Sequence, residues 1–241
     1  MAKILLTGHR GNICSRLNQR LLQDGHEVFG VDLKDGVDCA DVTNLDSFKD
    51  VEVVFHLAAH IQYPKKNTMD ACDGIAEFIR GRKHNIKVIY SSSAAIYSPY
   101  TMYAVHKLYG EALFSEKVFK SKLAILRLFN VYGGSGIGLI DKIDKREHIN
   151  VYGNGEQRRD YVHINDVVDA FVSTLDHDYS GVADVGTGSS YSVNKVLEMA
   201  DYSDFEHTKN YGGVMDSKAN LNPLFPWYPK YDLQTYLAKA R

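Results

Sequence analysis

Cysteine is scarce in this chain: Cys14, Cys39 and Cys72 are the three in 241 residues. An odd number without metal-ligand spacing speaks against a disulfide framework and points to a reducing compartment. The ten histidines form no metal-like cluster either, so no metal site is expected. An excess of charge is lacking as well. With 28 Lys and Arg against 30 Asp and Glu, the chain has no electrostatic footprint for nucleic acid or an anionic membrane. Any phosphate recognition must be local, built from loops and single arginines. No apolar run approaches the ~20 residues of a membrane span. Met1-Ala-Lys-Ile-Leu-Leu-Thr7 runs into a strand-like segment without a signal-peptide pattern. Repeats and low-complexity segments are absent. These absences lead us to expect a cytoplasmic protein of one medium domain, or a domain plus a small lobe.

What is present is an alternation of strand and helix patterns. Lys3–Thr7, Glu27–Asp32, Glu52–Ala59, Ile86–Ser91 and Leu123–Phe129 read as buried strands. Asn12–Asp24, with Ile13, Leu17, Leu21 and Leu22 at helical spacing and Gly25 as its stop, reads as a helix. Met69–Arg82 and Met102–Lys120 read as two more. That order predicts an α/β fold with a parallel, doubly wound sheet and right-handed crossovers. After Asn130 the rhythm breaks at Gly133, Gly134, Gly136 and Gly138, and Asn154-Gly155 marks a turn. Asp166–Leu175 returns to a helix and Val182–Val185 to a strand. A proline-punctuated tail around Trp227 ends in a helix near Asp232–Lys239. The expected division is a Rossmann-type domain of residues 1–130 plus about 162–187. A small lobe of 131–161 and 188–241 is expected to fold over the sheet's carboxyl edge.

Two constellations carry chemistry. Gly8-His-Arg-Gly11 lies between the first strand and the first helix, where a tight turn and a helix N-terminus can hold a pyrophosphate. Asp32 ends the second strand, about 20 residues on, where a carboxylate accepts from ribose hydroxyls and repels a 2′-phosphate. Together they favour NAD over NADP. The second constellation is Tyr103 and Lys107, one helical turn apart and so on one helix face, with Ser91-Ser92-Ser93 upstream. An ammonium beside a phenol favours the phenolate, and a serine hydroxyl adds a second donor. Cys14 stands where a third glycine is usual, and is read as a small buried residue that pushes the helix slightly off the strand.

With these residues the chain resembles an extended short-chain dehydrogenase/reductase of the nucleotide-sugar epimerase/dehydratase type. The matching segments run nearly end to end: Thr7-Gly8-x-x-Gly11, Asp41-Val42, Val54-Phe-His-Leu-Ala-Ala59, Ser91-Ser-Ser-Ala-Ala-Ile-Tyr97 and Tyr103-x-x-x-Lys107. Beyond them lie Leu126-Arg-Leu-Phe-Asn130-Val-Tyr-Gly133, Gly153-Asn-Gly-Glu-Gln-Arg-Arg159-Asp-Tyr-Val-His-Ile164 and Val185-Gly-Thr-Gly188. The resemblance implies that Tyr103 is the acid/base, that Lys107 holds the nicotinamide ribose, and that Ser93 bonds the reacting oxygen. Implied cofactor contacts are Gly8, Arg10, Gly11, Asn12, Ile13 and Asp32, with Asp41 and Val42 beside the adenine. Leu57, Ala58 and Ala59 along the dinucleotide, together with Ser91, Tyr103 and Lys107, complete that set. Ser91 and Ser92 are also expected to satisfy backbone at the strand end. Asn130 and Arg159 match positions that bind a substrate diphosphate, and Arg158 is as readily a solvated neighbour. Tyr152 is read either against the nucleobase or as a core aromatic, and His60 as a loop or packing residue.

The chain departs from the family where substrate is concerned. Nine residues separate Ser93 from Tyr103, and the connection from Asn130 to Gly153 and the C-terminal lobe are both contracted. An arginine before Asp216 and an asparagine in the helix after the third strand are missing. Ala94-Ala95 stands where 4,6-dehydratases carry an acidic pair, so elimination lacks its acid and base. The implied function is therefore an NAD-dependent nucleotide-sugar epimerase, placed at sugar C4, acting as a homodimer through the helices at 69–82 and 102–120. Two alternatives stand beside it. Gly8-His-Arg-Gly11 resembles the loop of GDP-fucose synthases, which are NADP-using epimerase-reductases. A non-catalytic NAD-binding regulator is the other, and intact Tyr103, Lys107 and Ser93 count against it.

Overall fold

The computed structural model describes residues 1–59, 67–82, 86–134, 136–209, 213 and 215–239. In chain order its elements are β1 (Lys3–Thr7), α1 (Asn12–Gln23), β2 (Glu27–Val31), β3 (Val53–His56), α2 (Asn67–Arg80), β4 (Lys87–Ser93), α3 (Met102–Lys117) and β5 (Leu123–Leu128). There follow β6 (Asn130–Tyr132), α4 (Leu139–Asp144), β7 (Ile149–Tyr152), β8 (Arg158–His163), α5 (Ile164–Asp176), β9 (Gly181–Val185), β10 (Ser190–Ser192), α6 (Val193–Ala200), β11 (Phe205–Thr208), β12 (Asp216–Ser217) and α7 (Leu233–Lys239). Two compact units divide the chain: Met1–Arg127 with Phe171–Ala183, and Leu128–Ala170 with Asp184–Arg241.

Among the described residues, the central sheet is parallel and has six strands in the order β2-β1-β3-β4-β5-β9. The chain leaves β1 in one direction to β2 and returns on the other side to β3, which creates a switch point between β1 and β3. Ligands of doubly wound sheets bind beyond the carboxyl ends of the strands at such a point. Burial explains why these apolar runs are strands: every residue of β3 is buried, as are all but the last of β4. The sheet packs its Leu5, Val54 and Val88 against Ile75 and Phe78 of α2 and Phe114 of α3. β2 is different. It lies at the sheet's edge, and among its five residues Val31 is the one that is buried.

Several predicted boundaries move inward. The strand expected over Glu52–Ala59 ends at His56, because from Leu57 the backbone turns into the loop facing the glycine turn. The helix expected to reach Lys120 stops at Lys117, with Val118 extended and its N–H returning to Phe114 O. A 3-10 segment, Val42–Phe48, stands where no element was expected.

The second unit contains a sheet in which β8 pairs antiparallel with β10 and parallel with β12 and β6. A separate parallel pair joins β7 and β11. Its core gathers Tyr132, Ile149, Val151, Tyr161, Leu197 and Leu237. Among the described residues, no helix is long and apolar enough to cross a membrane, and no group of His, Cys, Asp and Glu could hold a metal ion.

One buried polar cluster underlies the switch point. His56, fully buried, exchanges a hydrogen bond with Thr7 Oγ1 through Nδ1 (2.8 Å) and meets Cys72 Sγ through Nε2 (3.4 Å). Its ring stacks on Tyr90 at 5.7 Å. Burial first, and the Lys107 ammonium second, hold its pKa down to about 3. The unfolded chain, near 6.5, therefore takes up a proton first as pH falls. Stability from this group is complete above pH 6.5 and is lost progressively towards pH 3. At pH 5 the loss is about 2 kcal/mol, or a fall of roughly 4–8 °C in Tm. A His56→Gln variant should show a lower Tm at pH 7.5 but a flatter pH slope between 6.5 and 4.5. Equal slopes in calorimetric scans of the two proteins would refute this account.

Candidate active site

The first unit holds a cleft of about 260 Å³ at the β1/β3 switch point. Gly8 turns the chain out of β1 at φ +74°, donates to Val31 O (2.8 Å), and accepts from Gly11 N–H (2.8 Å). A Cβ on Gly8 would lie 3.0 Å from the backbone of Ala58, so the two loops approach as closely as glycine allows. Thr7 Oγ1 ties that approach by accepting from Ala58 N–H (3.3 Å). Gly11 then caps α1 with no side-chain bond and no acidic residue in the first turn. The helix N-terminus is thus left as an anion-attracting end. Cys14 follows, buried, with its thiol directed at Thr7 O (3.5 Å); burial pushes that thiol well above its usual range, so it is inert packing.

Of the residues expected at the cofactor, Gly8, Gly11, Asp32, Leu57, Ala58 and Ala59 line this cleft together. Asp32 accepts Arg10 N–H on one oxygen (3.0 Å) and Lys34 N–H on the other (2.9 Å), so its carboxylate is aimed before any ligand arrives. Each oxygen keeps a second lone pair for a ribose hydroxyl. Arg10, Asn12, Ile13, Asp41 and Val42 are not on the cleft's lining. The Asp41 carboxylate caps the 3-10 segment after it, accepting Thr43 N–H (3.0 Å) and Oγ1–H (2.7 Å), which lowers its pKa. Val42 packs on the core of the first unit. Val37, Asp38 and Cys39, which sequence reasoning passed over, line the cleft instead. Their signal was position: they follow directly on the turn after Asp32.

Ser91, Ser93, Tyr103 and Lys107, the residues expected to carry the chemistry, lie at the end of β4 and in the first two turns of α3, and none of them is on that cleft's lining. Tyr103, half-buried, sits in the first turn of α3, which Thr101 caps by accepting Ala104 N–H (3.2 Å). Lys107 is almost fully buried, and its Nζ donates to Ser91 O (2.6 Å) at the end of β4. The ammonium lies 5.9 Å from the Tyr103 ring centre and 5.1 Å from that of Tyr90. Ser93 ends β4 and accepts Ala95 N–H (3.2 Å), opening the 3-10 turn Ala94–Tyr97. One turn beyond Lys107, buried Glu111 accepts from Ser92 Oγ and from both Nε and Nη2 of Arg127 (3.0 and 2.8 Å). Arg127 Nη1 also donates to the Tyr97 hydroxyl (3.0 Å). Helix α3 is thereby clamped to the end of β4 at two successive serines. Sequence reasoning missed Glu111; a carboxylate four residues after Lys107, on the same helix face, was its signal.

In the second unit, Asn130 is exposed at the start of β6 and pairs with Tyr161, two residues from half-buried Arg159 on β8. Arg159 donates to Arg158 O (2.6 Å). Tyr152 is 58% exposed at the end of β7 and is not a core aromatic. It belongs to the β7/β11 pair, a different sheet from Arg159. Arg158 is anchored to Ser190 Oγ (3.2 Å). Fully buried Asp160 accepts four bonds, from Thr187 N–H and Oγ1–H, Gly188 N–H and Ala219 N–H, and so shapes the loop after β9. His60 lies outside the described residues.

A doubly wound parallel sheet, with a glycine turn and an acceptor carboxylate at its switch point, defines a dinucleotide-binding Rossmann protein. The sequence profile of the NAD dependent epimerase/dehydratase family matches residues 4–186, and the chain belongs to that family, whose cofactor is NAD. Among its relatives, a putative UDP-glucose 4-epimerase of Methanocaldococcus jannaschii is 29% identical, with 81% of this chain and 80% of the relative covered. The UDP-glucose 4-epimerase of Mycolicibacterium smegmatis is 28% identical, with 99% and 97% covered. That alignment runs over 304 positions, so the relative carries insertions that this shorter chain lacks. The fold matches the crystal structure of UDP-glucose 4-epimerase from Bifidobacterium longum in complex with NAD+ and UDP (TM-score 0.82, 22% identity, 99% and 96% covered). It also matches dTDP-glucose 4,6-dehydratase of Bacillus anthracis in complex with NAD (TM-score 0.84, 18% identity, 100% and 95% covered).

The contact between Gly8 and Ala58 is testable without substrate. Gly8→Ala adds a left-handed backbone penalty to a steric one and should cost roughly 1–3 kcal/mol. Gly25→Ala has a similar φ of +81° but open space around it, and should cost about 1 kcal/mol. Urea melts of the two variants should rank in that order; equal losses would mean that the loops do not meet as described.

Proposed function

We propose that this chain is a nucleotide-sugar 4-epimerase that removes and returns a hydride at one sugar carbon. The observation that carries this reading is the pairing of Tyr103, Lys107 and Ser93 with the carboxylate-free turn Ala94-Ala95 directly after Ser93. The site has a proton acceptor and a hydroxyl donor but lacks the acid and base that elimination requires beside them. UDP-sugar-acting relatives support the substrate class. NAD, when bound, supplies the hydride acceptor and then the hydride donor, so no net redox change results.

In this reading the N-terminus of α1 would face the pyrophosphate and Asp32 would accept from the adenosine ribose. Lys107, already oriented by Ser91 O, holds the nicotinamide ribose and places positive charge near the phenol. Tyr103 takes the proton of the C4 hydroxyl as the C4 hydride leaves, and Ser93 donates to the oxygen that becomes a carbonyl. Proton and hydride return after the sugar has presented its other face, which inverts C4. Arg159 and Asn130 anchor the diphosphate of the nucleotide, with Tyr152 against its base.

Purified protein, incubated with NAD and a panel of UDP-, GDP-, CDP- and dTDP-sugars, should interconvert one C4 epimer pair by NMR without net NADH. Tyr103→Phe should lower turnover by at least 100-fold and still retain NAD. Net NADH formation, or turnover indifferent to Tyr103→Phe, would refute the assignment.

We also infer a homodimer of this chain, formed through α2 and α3. Met102, Val105 and Leu108 expose 55%, 41% and 45% of their surface on α3. An apolar stripe of this kind gains by burial against a second copy. Light scattering should give twice the 27.1 kDa chain mass, and Leu108→Glu should yield the monomer. A monomeric parent protein would overturn the assignment.

A further inference from the structure

Around the turn that follows β2, a chain of contacts bears on which dinucleotide the cleft accepts. Arg10 begins beside the proposed ribose acceptor, since its own N–H bonds Asp32 Oδ2 (3.0 Å). Its guanidinium does not face that carboxylate's ligand side unoccupied; it forms an ion pair with Asp35 Oδ1. The other Asp35 oxygen takes His9 Nε2 at 3.1 Å. Asp35 is held in place by the same short turn that Asp32 caps, with its N–H donating to Asp32 O (3.0 Å). Gly30 fixes the His9 ring from below: a Cβ there would lie 2.5 Å from His9 Cγ, so the imidazole lies over the bare edge strand and points at Asp35. Lys34 Nζ is turned back to Arg10 O (3.5 Å).

We propose that Asp35 is a cofactor-specificity residue of this chain: by engaging Arg10 on one oxygen while the other holds His9, it withholds the arginine from a 2′-phosphate at the adenosine ribose. Asp32 excludes that phosphate by repulsion. Asp35 removes the attraction that an arginine one hydrogen bond away would otherwise offer. The Gly8-His-Arg-Gly11 loop thus keeps its arginine beside the ribose corner, neutralised by one carboxylate. The inference rests on the reading of this cleft as the site of the adenosine half of NAD.

The test is a set of fluorescence titrations of the full chain, freed of bound nucleotide, with NADH and with NADPH. Asp35→Ala should narrow the NADPH-to-NADH ratio of Kd by about tenfold, the worth of one charge-assisted contact, chiefly through tighter NADPH. Adding Arg10→Gln to Asp35→Ala should restore the parent ratio to within about twofold, and Asp35→Glu should keep it. Arg10→Gln alone, which avoids any folding loss at Asp35, should leave the ratio unchanged because the arginine is already engaged. The proposal is overturned if Asp35→Ala moves both nucleotides equally, if its gain survives removal of Arg10, or if Arg10→Gln alone selectively weakens NADPH. Asp32→Asn separates the two levels. If it alters NADH binding while the Asp35 variants change nothing, this inference alone falls. If it alters neither nucleotide, the cleft assignment falls with it.

Discussion

The contact on which the first unit depends is the approach of Gly8 to the backbone of Ala58. It joins the loop after β1 to the loop after β3, the two strands at which the chain reverses direction across the sheet. Thr7 makes the contact polar as well as close, since its hydroxyl serves the Ala58 N–H and the buried His56 together. That small bonded group lets a glycine turn, a helix N-terminus and the Asp32 carboxylate border one cleft.

A second constraint organises the chemistry. Lys107 and Glu111, one helical turn apart, reach successive residues at the end of β4: the Ser91 carbonyl and the Ser92 hydroxyl. The tyrosine at the start of α3 and the serine that ends β4 are thus carried by elements that two polar bonds lock together. Burying an ammonium and a carboxylate is costly unless their partners are in place. Here Arg127 completes the set by pairing with Glu111 through two nitrogens.

The shortness of the chain leaves the central sheet whole. The Mycolicibacterium smegmatis relative aligns over 97% of its length, with extra positions that this chain omits. The six-stranded sheet remains intact and parallel. Loop deletion costs little where the ends stay close and the core is unaffected. Specificity is therefore the property most open to change, both at the sugar and in the polar cluster of His9, Arg10, Asp32 and Asp35.

The sequence by itself determined the sheet, the glycine turn and the acceptor aspartate, because these follow from local signals: continuous apolar runs, helical spacing, and a Gly-x-x-Gly at a strand end. Tyr103 and Lys107 were legible because one helical turn puts them on one face. It did not determine where β3 would end, since Leu57-Ala58-Ala59 reads as strand until the glycine loop draws it away. Nor did it reveal that Asp41 would use its carboxylate as a cap, or that Val37–Cys39 would border the cleft. No local pattern singles out Asp35; its partners, Arg10 and His9, lie some 25 residues earlier. Glu111 likewise became visible through Ser92 and Arg127, from two other strands. Local propensity writes its pattern in neighbouring residues, whereas ion pairs and loop contacts between distant segments exist only once the chain is folded.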